Sequence, residues 1–186
     1  MKQCDVTIKG IGQKEGDRLY RKYGTSEIFY YEDKRSGLLI RQVLPQDVEL
    51  VKKARRIEIK KYLAYKVENG QKKYCPLSDI VKEEPDEQIK KIIEESNPDN
   101  NDKGDMSLLV FNLKTKEFIA LLDAIPDDEF GKKIRLGITF SDNKPIQKRY
   151  ETLLKEKIKA IFLEWKLAKE LYEEVLEGTL HKSVPI

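Results

Sequence analysis

Hydrophobic and polar positions along this chain switch between two periods, and the switches predict its elements. Val6 and Ile8 alternate in a short strand over residues 4–8, and Leu19, Tyr20 and Tyr23 at helical spacing predict a short helix over 14–23, ended by Gly24. Ser26 to Glu32 and Leu38 to Leu44 are rich in β-branched and aromatic residues. Asp33-Lys34-Arg35-Ser36-Gly37 between them has turn chemistry, so the two runs predict a hairpin. Val48, Leu50 and Val51 mark the buried side of a helical turn or two over 46–54. From Arg56 to Val67 the pattern is drawn in two ways, as a continuation of that helix or as a period-two strand. Asn69-Gly70, the strongest short hairpin signal, favours the strand and pairs Tyr65 with Tyr74 and Lys66 with Lys73.

Ser78 to Glu84 is acidic with helical character, and Asp86 to Glu95 predicts a helix with Ile89, Ile92 and Ile93 inward. Residues 97–105 are polar with Pro98 and Gly104, which suggests a linker over 97–106 between an N-terminal lobe (1–96) and a C-terminal lobe (107–186). Three strands follow, over 107–113, 117–123 and 132–140, the last alternating Ile134, Leu136, Ile138 and Phe140 with Arg135, Gly137 and Thr139. The longest pattern spans Pro145 to Leu176, where Ile158, Ile161, Trp165, Ala168, Tyr172 and Val175 recur at spacings of three and four. It predicts one amphipathic C-terminal helix that covers the meander or pairs with a second copy through Ile158, Ile161, Trp165 and Tyr172. The fold class expected is α+β, with small antiparallel sheets, short helices and that long helix.

Composition narrows the chemistry. The 186 residues are 37% charged and 39% hydrophobic with a net charge of +3, which describes a folded, highly charged chain. Charge is unevenly placed: residues 1–76 carry 18 basic and 10 acidic side chains, 77–131 carry 6 and 15, and 132–186 carry 12 and 8. No apolar run approaches a bilayer span, and a cytoplasmic location with no membrane contact is expected. Two cysteines, Cys4 and Cys75, make no disulfide framework. One histidine, His181, in an expected tail after Gly178, supports neither a nucleophile-imidazole triad nor a zinc site. Gly10-Ile11-Gly12 with Gly16 lacks the spacing of a dinucleotide fingerprint, and no phosphate loop of the Walker type is present. No cofactor and no metal are expected, and no motif set marks a known family.

What remains is a basic and aromatic front half. Lys52, Lys53, Arg55, Arg56, Lys60, Lys66 and Lys73, with Tyr62 among them, would line a strand face able to neutralise phosphates and stack an unpaired base. The function expected from this is a non-catalytic, regulatory binding protein that contacts nucleic acid, preferentially single-stranded, or a nucleic-acid-handling complex through that face, with an acidic protein surface as the other partner it would fit. The alternatives are a protein-interaction or inhibitory module using the acidic middle, with Glu83, Glu84, Asp86, Glu87, Asp127, Asp128 and Glu129, or the long helix, and a metal-dependent nuclease. The nuclease would set Asp47 against Glu58-Ile59-Lys60, an acidic residue followed by an acidic-x-Lys pair that holds Mg²⁺ and assists water.

Overall fold

The computed structural model describes residues 8–10, 19–23, 26–81, 85–95, 106–126, 133–164, 170–177 and 180–185. It is an α+β structure built on one mixed sheet. The strands are β1 (Ile8–Gly10), β2 (Leu19–Tyr23), β3 (Ser26–Asp33), β4 (Leu38–Gln42), β7 (Met106–Asn112), β8 (Phe118–Pro126), β9 (Lys133–Phe140), β10 (Glu170–Glu177) and β11 (Leu180–Pro185), adjacent in that order. A separate hairpin, β5 (Leu63–Glu68) and β6 (Gln71–Pro76), stands between helices α1 (Val48–Lys61) and α2 (Asp86–Glu95), and α3 (Lys144–Lys159) follows β9. Because β4 pairs antiparallel with β7, the sheet runs unbroken across the segment expected to separate two lobes.

Helices cover both faces of this sheet, so its central strands read as continuous apolar runs. On one face Leu108, Val110, Leu122 and Leu136 pack with Tyr150, Leu154, Ile158, Ile161 and Phe162 from α3 and the turn after it. On the other, Leu109, Phe111, Phe118 and Leu121 pack with Val48, Val51 and Ala54 of α1 and with Ile89 and Ile93 of α2. Strand neighbours such as Leu108 and Leu109 thus point to opposite cores, the condition under which strict apolar-polar alternation disappears.

Four elements differ from expectation. Residues 19–23 form β2, where a helix was expected, because Tyr20 pairs across to Phe29 and extends the β3–β4 hairpin by one strand. The stretch 56–61 belongs to α1, which runs 14 residues to Lys61 before the chain becomes extended at Tyr62. The turn at Asn69-Gly70 is as expected, with φ of 52° and 76°, and so is the register Tyr65–Tyr74 and Lys66–Lys73. Near Ser78 the chain makes one 3-10 turn (Leu77–Asp79) in place of a helix. Finally, the C-terminal helix is half the expected length. It begins at Asn143, whose side chain accepts the Ile146 N–H, with Pro145 in its first turn, and ends in a π-helical turn, Ala160–Glu164. Tyr172 lies on β10, which pairs parallel to β9. Glu and Leu in 170–177 favour helix locally, and pairing to the open β9 edge overrides that preference. Ile158 and Ile161 are 1% and 2% exposed within the core and form no seam for a partner, while Trp165 lies outside the described residues.

One ion pair ties the β3–β4 turn to α3. The Lys157 ammonium sits 2.5 Å from Asp33 Oδ2 and, with the Ser36 and Arg35 amides, holds the Asp33 carboxyl down to about 2. A carboxyl depressed on folding stabilises the protein above its unfolded value near 3.8 and loses that contribution as pH falls through about 2. Asp33→Asn is therefore expected to cost about 1 kcal/mol at neutral pH. Urea denaturation of both proteins checks it, since the gap between them should narrow between pH 4 and pH 2.

Candidate functional site

The site follows from how β9 and β10 meet. Their parallel pairing covers only Lys133–Leu136 against Glu170–Glu173, after which β10 continues against β11 and β9 continues alone on that side. Among the described residues no strand pairs with Gly137–Phe140 on this edge, and these four residues line a cavity of about 320 Å³. Its remaining walls are Glu58, Lys61 and Tyr62 at the end of α1, Gln147 and Glu151 on α3, and Glu173 on β10. A strand edge that opens between two helices leaves backbone N–H and C=O groups facing a cavity, where an extended ligand bearing amides can complete the ladder.

Carboxylates dominate the lining. Glu58 lies one helical turn before Tyr62, whose hydroxyl donates to Glu58 Oε1 at 3.4 Å. Burial pushes the Glu58 carboxyl above its usual range, and the Asp123 carboxylate adds to the push. Asp123 pairs with Gly137 across the β8–β9 ladder and accepts a hydrogen bond of 2.5 Å from Ser107 Oγ. Its own carboxyl is also raised, chiefly by burial. On the opposite wall Lys155 bridges Glu173 at 2.8 Å and Glu151 at 3.5 Å. A raised carboxyl at the wall of a cavity, in contact with a phenol, is placed to accept a proton from a group bound there.

The cationic residues expected to share one strand face do not. Lys52, Lys53, Arg55, Arg56 and Lys60 are on helix α1, where a period of 3.6 spreads them around the axis, and only Lys66 and Lys73 are on the hairpin. Lys52 Nζ binds Asp86 at 2.6 Å and lowers its carboxyl, Lys53 lies 3.4 Å from Asp142, and Lys73 lies 3.3 Å from Glu68. Tyr62 faces the cavity beside Glu58. The nuclease arrangement also dissolves. Asp47 is spent on Arg41, which donates two bonds of 2.7 and 2.8 Å, and on the Leu44 amide at 2.8 Å, while Glu58 and Lys60 sit on a helix. Among the described residues no three His, Cys, Asp or Glu side chains converge as a metal site requires. His181 is on β11, Cys75 is a half-buried thiol, and Cys4, Glu83, Glu84, Asp127, Asp128, Glu129 and Gly178 lie outside the described residues. No described helix is long and apolar enough to cross a membrane.

No family model matches the sequence, and no curated protein matches it. Solved structures do match the fold. A structure of a putative ribosomal-protein-serine acetyltransferase from Vibrio cholerae aligns with a TM-score of 0.51 at 13% identity, over 81% of this chain and 75% of that one. Two mutant forms of the spermidine N-acetyltransferase SpeG from the same organism align at 0.50 with 14% and 15% identity, each over 75% of this chain and 70% of theirs. The chain shares the fold of these acetyltransferases. That finding overturns the expectation of a non-catalytic nucleic-acid-binding, regulatory or interaction module, since the proteins that share this architecture are named as enzymes. The sequence placed Glu58 in a metal-binding pair that its position on a helix dissolves, and gave Gly137–Phe140, Glu151 and Glu173 no role in a site. One signal was available for Asp123, a lone carboxyl inside the apolar run Ile119–Ile125.

Proposed function

We propose that this protein is an acyltransferase that moves an acetyl-type group from a thioester donor to an amine, with the cavity beside Gly137–Phe140 as its active site. The observation that carries the reading is the splayed edge of β9, in a fold shared with proteins named as N-acetyltransferases. The residues present fit an extended, amide-bearing donor such as acetyl-coenzyme A. The edge of Gly137–Phe140 that faces away from β8 would hold its arm, and α3 starts beside that edge. The first turn of α3 has few bare amides, because Pro145 has no N–H and Asn143 takes that of Ile146. Anionic groups there would rest on the exposed ammonium groups of Lys144 and Lys148.

When bound, such a donor supplies an activated acyl carbon and a thiol leaving group. The chain's own residues supply the acid-base work. An amine enters as an ammonium ion beside Glu58, with Glu151 and Glu173 already bridged by Lys155, and must lose its proton to become a nucleophile. Glu58 is the acceptor, placed on the cavity wall with its carboxyl raised by burial, so that taking a proton is favourable there. Tyr62, hydrogen-bonded to Glu58, holds that carboxyl in place and offers a phenolic proton on the same wall.

The test is direct. Calorimetric titration with acetyl-coenzyme A is expected to show binding, and thiol release with a panel of monoamines, polyamines and lysine peptides is expected to depend on the acceptor. Absence of any heat of binding at millimolar donor would remove the proposal.

A further inference from the structure

Two of the carboxylates that line the cavity already share a cation. Glu151 stands on α3 one turn before Lys155, and Glu173 reaches the same ammonium from β10. Lys155 Nζ lies 2.8 Å from Glu173 and 3.5 Å from Glu151, so one charge ties both acids and both elements. Glu173 is 16% exposed and Lys155 32%, which spares the shorter of the two bonds much of the screening that weakens a pair on an open surface. Burial lowers the Lys155 ammonium, but the hydrogen bonds and charges of the two carboxylates outweigh it and hold it above its usual range. The bridge therefore stays charged at neutral pH. Lys155 is not among the described residues that line the cavity, so it neutralises this wall without filling the space in front of it.

The wall made by the end of α1 differs. There Glu58 accepts from the Tyr62 hydroxyl, an uncharged donor, at 3.4 Å. Among the described lining residues Lys61 is the one cation, and it belongs to the same wall. An amine that brings a single ammonium to Glu58 meets a counter-charge. A second ammonium on the same molecule meets Glu151 and Glu173 already paired and Lys61 repelling it. A cation placed in a cavity without a partner gives up hydration that nothing replaces. We infer that Lys155 sets the acceptor specificity: by engaging Glu151 and Glu173 it restricts the acceptor to amines with one cationic group in the cavity and turns away diamines and longer polyamines. The inference rests on the acyl-transfer reading for what happens to the amine, and on the Lys155 bridge alone for which amine is bound.

Pentylamine and 1,4-diaminobutane have equal chain lengths and differ at one end, methyl against ammonium. Calorimetric titration of the protein with each, without any donor, reads the preference. The parent is expected to bind pentylamine about tenfold or more tighter than the diamine. Lys155→Met keeps an unbranched stem and removes the charge, which releases Glu151 and Glu173 to the second ammonium. The ratio should then move by about a hundredfold, in favour of the diamine. Lys155→Arg should keep the parental ratio. Adding Glu151→Gln and Glu173→Gln to Lys155→Met should restore the preference for pentylamine, a return that general loosening of the wall would not produce. This triple variant leaves no carboxylate stranded, so together with the parent it decides the matter even where Lys155→Met alone fails to fold. Diamine binding by the parent as tight as that of pentylamine overturns the inference, as does an unchanged ratio in folded Lys155→Met, or no heat with either amine. The two readings fail separately. Selective binding of pentylamine with no thiol release from acetyl-coenzyme A leaves the role of Lys155 standing and removes acyl transfer. Thiol release as fast with 1,4-diaminobutane as with pentylamine does the reverse.

Discussion

Replacing Asp47 by alanine is expected to destabilise the protein by about 3 kcal/mol, the low end of the cost of breaking a buried ion pair. Asp47 is 6% exposed and accepts three hydrogen bonds, two from the Arg41 guanidinium and one from the Leu44 amide. Removing it strands a half-buried cation and a backbone donor at the junction where β4 gives way to α1. Arg41 keeps some compensation, since it also donates to the Gln42 carbonyl at 2.9 Å and lies over the Phe111 ring at 5.0 Å. With a side-chain exposure of 17% it can also turn partly to water, which places the cost at the low end. Asp47→Asn keeps the shape and the contact with the Leu44 amide but loses the charge, so it should cost less than alanine. Urea midpoints at constant slope measure both. In a double-mutant cycle with Arg41→Ala, a coupling near zero would show that the pair is not what holds this corner.

Turn chemistry and period two were sufficient for β3, β4, the β5–β6 register and the meander of β7, β8 and β9, because these depend on neighbours close in sequence. Residues 56–61 went astray because a helix and a strand both fit Ile57, Ile59 and their charged neighbours. What decides is contact with β8 and β9, far along the chain. The stretch 145–176 failed for the related reason that Leu, Glu and Lys suit a helix throughout. Residues 170–177 are a strand because β9 has an open edge for residues 170–173 to occupy, and no local signal announces that. The cavity is the remainder of the same edge, the four residues beyond the point where β10 departs. A site made by strands that stop pairing is invisible to motif reading. Its one titratable signature, Glu58, looked like a metal ligand because its spacing to Lys60 was legible and its position on a helix was not.

Glu58→Gln is the substitution expected to have the largest effect on activity. Without a carboxylate to take the amine's proton, the rate of acceptor-dependent thiol release should fall by about two to four orders of magnitude, the usual contribution of a positioned general base. Donor binding should be unaffected, because the edge of β9 is untouched. Stability gives the complementary sign. Burial raises the Glu58 carboxyl in the folded state, so above its unfolded value of 4.5 the native protein carries a penalty that grows as pH rises through the raised value. Glutamine removes that penalty while retaining an acceptor for the Tyr62 hydroxyl. The variant should therefore be at least as stable as the parent at pH 8, and gain less at pH 4. A residue kept at a cost in stability, and lost at a cost in rate, is one the site needs for chemistry. The pH-rate profile supplies the final check. The parent should lose activity in acid at a pH above that of an ordinary glutamate, and the residual activity of the variant should lack that limb. If Glu58→Gln keeps the parental rate and acid limb, the proton goes elsewhere, and Asp123, raised by burial behind Gly137, becomes the next group to replace.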